Sequence, residues 1–139
     1  MDPAQSAAPH IALHQVSVES EKVKGSWKVR WRIANLNSQP LELRAVRLPH
    51  GQFKSAERRF QPPIHLAAKE NAEFQVFVCC DEPVGLVTEN AFLIFQVVRL
   101  SERWRIFARV RVTVSLAGVP AAAAESITTQ QVGFSGVAD

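Results

Sequence analysis

The stretch Ala91–Leu116 constrains the fold more than any other part of the chain. It reads AFLIFQVVRL, then Ser101-Glu102-Arg103, then WRIFARVRVTVSL. In the last segment Trp104, Ile106, Ala108, Val110, Val112, Val114 and Leu116 share one parity, and Arg105, Phe107, Arg109, Arg111, Thr113 and Ser115 share the other. A period of two held over that length belongs to a half-buried strand, because successive side chains point to opposite faces. The first segment is apolar on both parities, as in a strand covered on both sides. The polar trio between them turns the chain, and the whole reads as a long hairpin.

Further strands follow from the same rule. Ile11–Glu19 changes parity near Gln15, which predicts a bulge. Ser26–Ala34 alternates cleanly, with Trp27, Val29, Trp31 and Ile33 on one face and Lys28, Arg30 and Arg32 on the other. Each tryptophan turned into a core buries on the order of 150–250 Å². Leu41–Leu48 is a third strand, with a parity change near Ala45–Val46. Gln52–Phe60 reads as a connection or a short edge strand, and Gln61-Pro62-Pro63 is barred from a central strand because proline lacks the ladder donor. Ile64–Leu66 reads as a short strand. Glu73–Cys80 is another, and Asp81–Asn90 a loop.

The expected fold is therefore all-β, an antiparallel β-sandwich of about seven short strands with disordered termini. Residues 1–10 are expected to form a disordered lead, 11–116 the sandwich and 117–139 a flexible tail, with at most a brief helix at Ala121–Glu125. The run WKVRWRIANLNSQPL over residues 27–41 resembles the second strand and following turn of bacterial immunoglobulin-like domains. The long final hairpin resembles their last two strands. The resemblance spans residues 11–116 and implies an immunoglobulin-like sandwich, a fold used mostly by binding and spacer modules. The two cysteines are neighbours rather than a pair bridging two sheets, which sets the chain apart from antibody domains.

Chemistry is hard to find in the sequence. There is no G-x-S-x-G elbow, P-loop, G-x-G-x-x-G or C-x-x-C. His10 and His14 share a strand face but stand ~13 Å apart, too far for one metal. His50 and His65 have no ligand partner at a suitable spacing. Cys79 and Cys80, on one strand, point to opposite faces, one into the core and one outward, and read as reduced thiols. No enzyme activity, metal or cofactor is expected. The N-terminus lacks a basic start and an apolar core run, and no apolar run approaches the ~20 residues of a bilayer span. The free thiols and missing signal point to a cytoplasmic protein without a membrane span.

Charge is the remaining clue. The chain carries 16 Lys and Arg against 13 Asp and Glu, a net of +3. All the cations and ten of the acids lie within residues 11–116, an excess of six. Lys28, Arg30 and Arg32 form one stripe, and Arg105, Arg109 and Arg111 another. In an immunoglobulin-like topology these stripes fall on opposite sheets, which weighs against one nucleic-acid patch. Anion or nucleic-acid binding is the alternative function, testable by salt dependence.

The leading expectation is a protein partner or homo-oligomer. Of the two apolar rows in Ala91–Leu100, only one can face the core, and the pattern is compatible with either. The candidate interface is the row Leu93, Phe95 and Val97 with Phe107, rimmed by Arg105, Arg109 and Arg111. An apolar centre with an arginine rim is the make-up of an interface. The competing expectation is that the tail folds over this row through Ile127, Val132 or Phe134.

Overall fold

The computed structural model describes residues 8–49 and 52–133. Among these residues every regular element is a strand: β1 (Ile11–Ser20), β2 (Ser26–Asn35), β3 (Leu41–Leu48), β4 (Ser55–Leu66), β5 (Asn71–Cys79), β6 (Val87–Arg99), β7 (Glu102–Val114) and β8 (Pro120–Gln131). They form two antiparallel sheets, one in the order β1-β2-β5 and one in the order β4-β3-β6-β7-β8. The fold is an all-β sandwich.

Alternation builds the core between the sheets. Val29, Trp31 and Ile33 on β2 and Phe74, Val76 and Val78 on β5 meet Leu41, Leu43, Val46 and Leu48 on β3. Leu93, Phe95 and Val97 on β6 and Trp104, Ile106 and Val110 on β7 complete it. Phe74 spans the layers, meeting Phe60 and Phe95 edge-to-face with ring centroids 5.5 and 5.8 Å away, a favoured aromatic geometry. Trp27, at the rim, is half-buried and donates its indole N–H to the Cys80 carbonyl at 2.8 Å.

The expected parity changes are where the chain bends. The β1–β2 register shifts between Gln15 and Ser17, and β3 shifts against β6 between Leu43 and Ala45. Gln15 uses its bulge to join the sheets: its Oε1 accepts the Ala122 N–H at 3.0 Å and its Nε2 donates to the Pro120 carbonyl at 3.4 Å. On the opposite flank Lys54 and Cys79 exchange two backbone hydrogen bonds of 2.8 and 3.2 Å. Both open sides of the sandwich are thereby tied.

Several expectations are corrected. Residues 52–66 hold a full edge strand, β4, and its edge position accommodates Pro62 and Pro63. The loop expected at Asp81–Asn90 ends at Val87, where β6 begins. The hairpin turns at Leu100 and Ser101, with φ of 52° and 65°, so Arg99 faces Glu102 and the trio Ser101-Glu102-Arg103 is not the turn. In place of a tail over 117–133 the chain forms β8, paired with β7 from Val114↔Pro120 to Trp104↔Gln131. An unpaired β7 edge would leave a ladder of backbone donors and acceptors, and β8 satisfies it. The Ala121–Glu125 segment is strand, not helix. Residues 1–7 of the expected lead, 50–51 and 134–139 of the expected tail lie outside the described residues.

Candidate interaction surface

The hairpin register decides which side chains face outward. Directly opposed residues share a face, and Val97↔Trp104, Phe95↔Ile106 and Leu93↔Ala108 are opposed pairs. Leu93 and Phe95 are fully buried and Val97 is 2% exposed. These three interface candidates are therefore core residues. The outward row is Phe92, Ile94, Gln96 and Val98, which lies beside Phe107, Arg105 and Arg109 on β7 as expected of that strand.

Each apolar member of this row has an arginine directly across from it. Phe92 pairs with Arg109, Ile94 with Arg47 on β3, and Val98 with Arg103, while Ile94 also faces Phe107. Phe92, Val98 and Phe107 are half-buried, and Ile94 is only 8% exposed. The result is an apolar band laid between arginines rather than a bare apolar wall. Ile127 and Val132 do not cover it: β8 lies beside β7, Ile127 packs against the core and Val132 is buried. Phe134 is outside the described residues.

The charge around the band is one-sided. β7 contributes Arg103, Arg105, Arg109 and Arg111; β3 contributes Arg44 and Arg47; β4 contributes Arg59. Against these seven stand Glu42, Glu57 and Glu89 among the described residues. Glu42 pairs with Arg44 at 2.6 Å, Glu57 with Arg59 at 3.3 Å and Glu89 with Arg111 at 3.8 Å. These are exposed or half-exposed pairs that neighbouring water weakens. Arg103 and Arg105 also make contacts within the chain. Gln96 Nε2 donates to Glu57 Oε1 at 3.3 Å.

Spacing along the chain does not link Arg44, Arg47 and Arg59 to the Arg105–Arg111 stripe. Only the β4-β3-β6-β7 order brings Arg44 and Arg47 beside it.

The other sheet behaves differently. Its outward stripe of Lys28, Arg30 and Arg32 lies on β2, in the opposite layer from β7, as expected. Glu73 answers both Arg32 at 2.7 Å and Arg30 at 3.7 Å, and Glu19 answers Lys28 at 3.3 Å. Phe77 stands out from this face, 60% exposed.

Cys79 is exposed and Cys80 buried, both as free thiols, in the orientation that strand alternation predicts. Burial, followed by the carboxylates of Glu82 and Asp81, raises the Cys80 pKa above the ordinary thiol value, against a backbone hydrogen bond from Glu82. That holds Cys80 protonated and unreactive at neutral pH. Among the described residues no group of three His, Cys, Asp or Glu is placed to hold a metal ion. No helix among them is long and apolar enough to cross a membrane. Compared with known proteins, the chain matches no family model and no curated sequence.

Proposed function

We propose that this chain is a non-enzymatic protein-interaction module on an immunoglobulin-like sandwich, and that its contact surface is the outer face of β3, β6 and β7. The observation that carries this is the band of Phe92, Ile94, Val98 and Phe107 bordered strand by strand by arginines. Interfaces are rich in aromatic residues and arginine. The immunoglobulin-like reading draws support from strand order. β1-β2-β5 over β3-β6-β7 has the connectivity of strands A-B-E over C-F-G, with β4 beside β3 and β8 added outside β7.

Capture from the native host tests this reading. A partner held by the wild-type chain is expected to be lost with Phe92→Ser/Phe107→Ser and kept with Phe77→Ser on the opposite face. Equal retention by both variants, with circular dichroism unchanged, would overturn it. Self-association through the same face is the homodimer form of the proposal, and light scattering reads it directly.

The second reading, anion or nucleic-acid binding, gains support from the arginines that β3 and β4 add to the β7 stripe. It predicts affinity that falls steeply with salt.

A further inference from the structure

The positive charge of this protein is not spread over its surface. Among the described residues seven arginines and three glutamates occupy the outer face of the five-stranded sheet, an excess of four. The other described residues carry nine Lys and Arg against eight Asp and Glu, which nearly cancel. One side of the sandwich therefore carries most of the net charge of the described residues and steers anionic groups toward itself.

The type of cation narrows the anion. All seven are arginine, while the five lysines, Lys22, Lys24, Lys28, Lys54 and Lys69, lie elsewhere. Guanidinium presents a planar fork that matches carboxylates and phosphates in pairs of hydrogen bonds, and arginine tolerates partial desolvation better than lysine. Lysine is depleted from protein interfaces where arginine is enriched.

The spacing narrows it again. Arg103, Arg105, Phe107, Arg109 and Arg111 follow one another at alternate positions of β7, about 6.6–6.8 Å apart. An extended chain laid along β7 repeats at the same interval, so its alternate side chains can stay in step. In the middle of the stripe the arginines give way to Phe107, with Ile94 across from it. Two arginines on each side of an apolar position, Arg103 and Arg105 with contacts within the chain that a partner would share, complement carboxylates on each side of an apolar side chain.

We infer that the partner of this face is an acidic protein segment in extended form, with carboxylates at alternate positions flanking one apolar residue. This rests on the interaction reading above and names its occupant. A second copy fits poorly. In a two-fold pair the face meets itself, and two surfaces each with an excess of four positive charges repel. A nucleic acid also fits less well, since Phe92 and Phe107 are half-buried in the band and offer no projecting platform for bases. Arg111 and Glu89, both exposed and 3.8 Å apart, exchange one carboxylate for another at little cost.

The test is fluorescence anisotropy with the full chain and a labelled nine-residue peptide. The peptide carries glutamate at its first, third, seventh and ninth places, leucine at the fifth and serine elsewhere. A second peptide of the same composition carries the leucine at one end, and a single-stranded oligonucleotide of equal length is the third probe. Saturable binding of the first peptide is expected, weaker by at least ~tenfold when salt rises from ~50 to ~200 mM. Arg105→Glu/Arg109→Glu is expected to weaken it at least ~tenfold and Arg30→Glu/Arg32→Glu less than ~twofold, because only the first pair lies on the charged face. Arg105→Ala/Arg109→Ala, checked by circular dichroism, keeps the comparison valid if the glutamate variant does not fold.

Absence of binding at low salt, equal loss with the opposite-face variant, or indifference to the position of the leucine would overturn the inference. An oligonucleotide bound as tightly as the peptide would assign the face to nucleic acid instead. A wild-type dimer abolished by Phe107→Ser would leave the interaction reading standing and remove the acidic occupant. Host capture insensitive to Phe92→Ser/Phe107→Ser would remove both.

Discussion

Asn35 ends β2 with no exposed surface, and its side chain holds together two turns distant in sequence. Its Nδ2 donates to the carbonyls of Gln39 at 2.8 Å, Ala67 at 3.2 Å and Leu66 at 3.3 Å, while Oδ1 accepts the Asn37 N–H at 3.0 Å. Its own backbone N–H donates to the Glu70 carbonyl at 2.9 Å. Truncation leaves buried carbonyls unsatisfied, so Asn35→Ala is expected to destabilise the fold by about 1–3 kcal/mol. Asn35→Asp is expected to cost more, because an acceptor-only carboxylate would be buried facing carbonyls. Urea unfolding of both variants measures the order, and equal midpoints for wild type and Asn35→Ala would refute the clamp. In the sequence Asn35 stands between the strands expected at Ser26–Ala34 and Leu41–Leu48, where asparagine favours a turn by local bonding. It could not reveal the carbonyls of Leu66 and Ala67, which reach Asn35 only when the β4–β5 connection folds beside the β2–β3 turn.

At the scale of an element, the β6–β7 hairpin shows where legibility in the sequence ends. The alternation of β7 announced its inner and outer faces, and Arg105, Phe107, Arg109 and Arg111 all lie on the outer one. β6 is apolar on both parities, so its orientation depends wholly on the turn that registers it. A turn at Ser101–Arg103 would oppose Val98 to Ile106 and send Leu93, Phe95 and Val97 outward. The two-residue turn at Leu100–Ser101 opposes Val97 to Trp104 and sends them inward, because a one-residue slip exchanges the faces of a strand. β8 was hidden for a different reason. Ala121–Ala124 has no large side chain to alternate, the register shifts between Arg109 and Val110, and its strand form comes from the β7 edge. The turn itself suggests an experiment. Both of its residues hold positive φ, which tight hairpins require and which asparagine and glycine adopt more readily than leucine and serine. Leu100 and Ser101 are exposed, so Leu100→Asn/Ser101→Gly removes no core contact. The pair is expected to add about 0.5–1 kcal/mol and raise Tm by about 2–6 °C. A lower Tm by calorimetry would argue against this turn.

On the scale of the whole molecule, composition stated the net charge but not its direction. Nothing in the residues alone makes Arg44 and Arg47 neighbours of the Arg105–Arg111 stripe; the order β4-β3-β6-β7-β8 does so. The same order leaves Arg30 and Arg32 on the other side, where Glu73 meets both. Two double variants with identical net charge then separate placement from amount. Arg105→Glu/Arg109→Glu lowers the charge of the basic face by four units, and Arg30→Glu/Arg32→Glu lowers by four that of a face whose cations Glu19 and Glu73 already meet. A charged surface engages an oppositely charged matrix through its most favourable side, and the effect weakens as salt screens it. On a sulfonate column at neutral pH the first variant is expected to elute well before the second, although sequence assigns them the same charge. Coincident elution would mean that the positive field is uniform, and would take away the electrostatic ground for an acidic partner on the five-stranded sheet.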